Sequence, residues 1–118
     1  MPLRTRYLFS AAMDVDPSKD ALFHEVYDKE HIPALLEVPG VVSASRFRLR
    51  DLTMMIGGER KTIVIDNEPT YNALYELEGP EVLTSDKWAE AVERGRWPAQ
   101  VRPYTKNRRH VLYRNISQ

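Results

Sequence analysis

The chain has no cysteine among its 118 residues, which removes disulfides, thiolate nucleophiles and thiolate-ligated metals together. Any catalysis must come from histidine, carboxylates, tyrosine, serine, threonine or arginine. Net charge is missing as well: 17 basic side chains face 17 acidic ones, so the overall balance gives no pull towards nucleic acid or an anionic membrane. No apolar run approaches the roughly 20 residues of a membrane span, and the first residues, MPLRTRYLFSAAMDVD, lack the apolar stretch of a signal peptide. A soluble, cytoplasmic protein is expected. Only His24, His31 and His110 supply imidazole, with neither HxxxH nor HxH spacing, so no metal site is expected. Gly57-Gly58 stands alone, without the glycine pattern of a phosphate-binding loop.

What remains is the composition of one small α+β domain, expected to span residues 1–118. The charge is unevenly spread. Residues 1–80 hold 9 basic and 13 acidic groups and residues 81–118 hold 8 and 4, giving an acidic body and a basic end. That end either meets an anionic group or is ordinary solvated charge.

Apolar alternation marks a strand over 3–13, with both faces partly apolar. Asp16 and Pro17 then suit the start of a helix running to about residue 31. On it Leu22, Phe23, Val26 and Tyr27 form an apolar arc, Glu30 projects into that arc, and His31 lies at its edge one turn beyond Tyr27. Pro33 cannot donate to the carbonyl four residues back and disfavours helical geometry at Ile32, which predicts a kink or an end near 29–32. Further strands are expected over 41–50, 70–78 and 101–116, and a helix capped by Ser85 or Thr84 over DKWAEAVERG. Two apolar runs flanking Gly57-Gly58 form an extra hairpin or arm over 53–65. An apolar arm of this kind should cover a pocket or a partner subunit. The order is β-α-β-β-α-β, a ferredoxin-like arrangement.

Several elements together resemble the dimeric α/β-barrel superfamily and, within it, the EthD-like group: Met13-Asp14-Val15-Asp16, Phe23, Tyr27-Asp28, Glu30-His31-Ile32-Pro33, Val38-Pro39-Gly40, Ala73 to Leu77, and Ser85-Asp86 with Trp88. The resemblance implies a ferredoxin-like protomer whose sheet packs on that of a second chain, hence a homodimer. It also implies a small-molecule ligand, since relatives include cofactor-free monooxygenases, isomerases, cyclases, haem-dependent enzymes and simple binders.

His31 is the foremost acid/base, because an imidazole exchanges protons near neutrality; otherwise it ties the helix end to nearby backbone. Glu30 is either a base or the partner of an arginine such as Arg46 or Arg108. Tyr27 brings a hydroxyl to the same pocket. Asn72, Tyr75 and Trp88 form a substrate-binding group, or else are core, while Arg46 and Arg108 set the local field. The basic run at Lys106, Arg108, Arg109 and His110 receives a carboxylate or phenolate, or protects a strand edge. The expected function is cofactor-independent proton transfer of the isomerase, lyase or cyclase type on an aromatic, quinoid or lactone-like substrate. Cofactor-free oxygenation of phenols and ligand binding without turnover are the alternatives. No cofactor is expected, with haem on His31 or His110 as the minor possibility.

Overall fold

A computed structural model describes residues 5–117. Four strands, β1 (Tyr7–Val15), β2 (Val41–Arg48), β5 (Tyr71–Leu77) and β6 (Thr105–Arg114), make one antiparallel sheet in the order β2-β5-β1-β6. Helices α1 (Asp20–Val26), α2 (Ile32–Leu36) and α3 (Asp86–Ala91) connect them, which is the ferredoxin-like topology expected. The first described strand residue is Tyr7, Thr5 and Arg6 being outside the strand, while Leu3 and Arg4 of that expectation lie outside the described residues. Among the described residues no helix is long and apolar enough to cross a membrane.

Strand alternation decides what each sheet face does. Phe9, Ala11, Met13, Tyr71, Ala73, Tyr75 and Leu77 point towards the helices and meet Phe23, Val26, Tyr27, Leu35 and Trp97 in the core. The opposite face carries Ser10, Ser43, Glu76 and Asn72, joined by Ser43 Oγ to Glu76 Oε1 at 2.8 Å and Ser10 Oγ to Asn72 Oδ1 at 2.9 Å. It also leaves Phe47 53% and Tyr113 51% exposed.

The first helix does not end at Pro33. It continues from α1 through a wide turn, Tyr27–His31, into α2, with the Ile32 N–H reaching back five residues to the Tyr27 carbonyl. Proline explains this local form: lacking an N–H, it cannot close the ordinary bond to Lys29, and inserting one extra residue per turn shifts the register past the gap. Asp16 accepts from the Ser18 N–H and Ser85 from the Trp88 N–H, so both expected caps form. The later helix is shorter than expected, closing at Ala91. The chain then turns through Gly95 into a second wide turn, Trp97–Val101, so β6 begins at Thr105 and not at residue 101.

The extra hairpin is present as β3 (Leu52–Ile56) and β4 (Glu59–Ile63), with Gly57 and Gly58 both at positive φ (59° and 81°) in its two-residue turn. It projects from the body: Met55 is 61% and Val64 79% exposed, and the radius of gyration is 16.0 Å where a compact chain of this length gives about 13.5 Å.

Candidate functional site

A cavity of about 200 Å³, open to solvent, lies between the helix-facing side of the sheet and the helical layer. Phe9, Met13, Tyr27, His31, Tyr75, Trp88 and Trp97 form its walls, and Arg102, Thr105, Arg108 and His110 also border it. Alternation on β1 and β5 aims Phe9 and Tyr75 inward, and the wide turn at Tyr27–His31 carries the imidazole to the wall.

His31 is 7% exposed, and its ring stacks on Trp97 with centroids 4.2 Å apart and meets Tyr27 edge-on at 5.0 Å. These contacts fix the plane of the ring but leave a polar gap, because Nδ1 is buried without a hydrogen-bond partner. An unmade bond of that kind costs about 1–3 kcal/mol. Burial, helped by the positive charge of Arg102, lowers the His31 pKa to about 4. The ring is thus neutral at pH 7, with a lone pair to offer. His110 at the mouth is pushed down from its ordinary value by burial and by Arg108. Tyr27 and Tyr75 lie hydroxyl to hydroxyl at 3.4 Å, and burial raises both phenols, so they remain protonated.

The structure gathers His31, Tyr27, Tyr75, Trp88 and Arg108 around one cavity, and it separates three other residues from it. Glu30 turns away to Arg96, whose backbone N–H donates to Oε1 at 2.9 Å and whose Nε donates to Oε2 at 2.6 Å. Those bonds hold the Glu30 carboxyl below the usual range, so it is neither a raised-pKa base nor the partner of Arg46 or Arg108. Arg46 sits behind Tyr27, 4.7 Å from the ring, and donates to Asp28 Oδ1 at 2.7 Å and to His24 Nδ1 at 2.8 Å. Asn72 bonds Ser10 on the far side of the sheet. The arm contributes no residue to the cavity, so of its two expected uses, covering a pocket or a partner subunit, the first is not met by this chain's own cavity.

Sequence reasoning missed Trp97 and Arg102. The signal available was Gly95-Arg96-Trp97-Pro98, a second tryptophan beside a proline just after a helix stop. Gly95 holds φ +64° and approaches the Glu30 carboxylate closely, so the turn that presents Trp97 to His31 is anchored to the helix carrying His31.

The fold and cavity define a ferredoxin-like α+β protein with an aromatic-walled pocket containing a neutral imidazole. No protein-family model and no curated protein matches the chain, so the EthD-like assignment finds no support there. Several solved structures do resemble it, two of them of MhuD. One is an arginine-to-serine mutant of MhuD with two manganese protoporphyrin IX molecules bound per active site (10% identity, TM-score 0.61, 95% of this chain and 96% of that one). The other is the haem degrader MhuD of Mycobacterium tuberculosis with two haems in its active site (12% identity, TM-score 0.58, 95% and 97%). At such identity the likeness is one of fold. Both of these neighbours hold haem or a metalloporphyrin in their active sites, which corrects the expectation of cofactor-free isomerase, lyase or cyclase chemistry and of no cofactor.

Proposed function

We propose that this chain binds a haem-type metalloporphyrin in the His31 cavity and acts on it oxidatively, as an enzyme. The observation that carries the reading is the neutral His31 imidazole standing in the wall of a cavity lined by aromatic rings. A porphyrin already gives its iron four nitrogens, so a single imidazole would suffice to hold it. Among the described residues no group of three or more metal-ligating side chains exists, a pattern that suits a porphyrin better than a free ion. His24 is taken by Arg46 outside the cavity, which leaves His31 and His110.

When bound, such a group supplies the one-electron chemistry that allows dioxygen to attack the macrocycle. The chain's own residues have distinct tasks. Trp97 and Tyr27 hold the His31 ring in place, Phe9, Tyr75 and Trp88 exclude water from an apolar face, and the protonated hydroxyls of Tyr27 and Tyr75 can donate to an oxygen nearby. A cavity of about 200 Å³ lies below the roughly 300–1,000 Å³ usual for small-ligand pockets. The edge of a macrocycle would therefore leave through the mouth, past Arg108 and His110.

The finer assembly is a homodimer through the exposed sheet face and the arm. Phe47, Leu49, Met55, Val64 and Ile65 support it, since apolar groups so exposed call for cover. The test of the main reading is titration with ferric haem. A saturable Soret change at one haem or more per chain, lost in His31→Ala, is expected, followed by decay of the band with ascorbate and dioxygen. Absence of saturable binding to the wild type would refute it.

A further inference from the structure

Among the described residues five arginines, Arg46, Arg94, Arg96, Arg102 and Arg109, lie within ion-pair distance of a carboxylate. Arg108 does not, although it borders the cavity. Its Nε donates to Thr105 Oγ1 at 2.9 Å and one terminal nitrogen donates to the Arg102 carbonyl at 3.0 Å. Thr105 is itself pinned by donating to that same carbonyl at 2.7 Å. Both acceptors are neutral, so the guanidinium is held in position while its charge stays uncompensated, and its other N–H groups have no acceptor among the described residues. Its neighbour at the mouth, Arg102, is differently occupied: it donates to Glu93 at 3.1 and 2.5 Å and to the Val92 carbonyl at 2.7 Å.

A planar fork fixed by two bonds and open on its remaining edge matches a carboxylate in two-point geometry. The field in the cavity points the same way. Arg102 and Arg108 each disfavour a positive charge on the imidazole nearest to them, so an anion beside them lowers the energy of the whole rim.

We propose that Arg108 is a preformed carboxylate receptor at the mouth of the cavity, selecting flat aromatic ligands that carry a carboxylate at their edge. In porphyrin form this rests on the function proposed above, and the carboxylate is then a propionate of the macrocycle.

The experiment compares ferric protoporphyrin IX with its dimethyl ester, which has the same ring and no carboxylate, on wild type, Arg108→Gln and Arg108→Lys, by Soret titration. Wild type is expected to bind the diacid about tenfold or more tighter than the diester, as for a charge-assisted pair. Arg108→Gln should abolish that preference and leave diester affinity unchanged, and Arg108→Lys should fall between. An equal preference in wild type and Arg108→Gln overturns the proposal. Should wild type bind neither porphyrin, the proposed function fails by itself, and the receptor is judged with 2-naphthoate and 2-naphthamide through quenching of Trp88 and Trp97 fluorescence. Saturable quenching by the naphthoate alone, lost in Arg108→Gln, supports the receptor. Equal quenching by both compounds, or by neither, overturns it.

Discussion

Acid should unfold this protein partly through one side chain. In the folded chain the His31 pKa is about 4, set first by burial and then by Arg102, against an ordinary value near 6.5. Between those two values the unfolded chain holds more protons at this position than the folded one. Stability is therefore fully present above pH 6.5 and declines as the pH falls towards 4. The loss attributable to His31 is about 2 kcal/mol by pH 5 and about 3 kcal/mol by pH 4. The assay is urea unfolding followed by tryptophan fluorescence from pH 7.5 to 4, on wild type and His31→Gln. Glu30 and Glu93, whose carboxyls are held low by Arg96 and Arg102, also lose stability on acidification, but they do so in both proteins and cancel in the comparison. The wild-type curve should fall more steeply, and the gap should close by about 2 kcal/mol between pH 7 and 5. Parallel curves would refute the claim that His31 is buried neutral.

Phe23 has no exposed surface and touches Tyr27, Tyr71 and Trp97; Phe23→Ala should lower the unfolding free energy by about 3–5 kcal/mol, read from urea midpoints at pH 7. Gly95→Ala forces a left-handed φ onto an L side chain and pushes a Cβ into the Glu30 carboxylate. It should cost about 1–2 kcal/mol from the backbone alone and move the Trp97 emission maximum, whereas an unchanged spectrum would detach Trp97 from that turn. Met55→Lys with Ile65→Lys should convert a wild-type dimer to a monomer in light scattering, and a wild type that is monomeric at all concentrations would dispose of the assembly proposed.

Much of the fold was legible because local rules sufficed. Alternation found β2 and β5 within a residue or two of their limits, Gly57-Gly58 located the hairpin, and Asp16 and Ser85 capped as their chemistry requires. Pro33 left a kink and an end both open, because a proline removes one hydrogen bond and does not dictate how the chain compensates; here a wider turn carried the helix on. Glu30 and Asn72 failed differently. Helical and strand periods give a direction to each side chain, but Arg96 and Ser10, which capture them, are 66 and 62 residues away in sequence.

By itself the sequence determined the element order, the apolar faces and the presence of a histidine at a proline-disturbed helix turn, since spacing, caps and missing donors act over a few residues. Only the tertiary structure decided that Trp97 lies flat on that histidine, that Arg96 draws Glu30 away, and that Arg108 is held at the rim by neutral oxygens, with no carboxylate among the described residues. Each of those depends on which distant segments the sheet brings within a few ångströms, and no local preference encodes that.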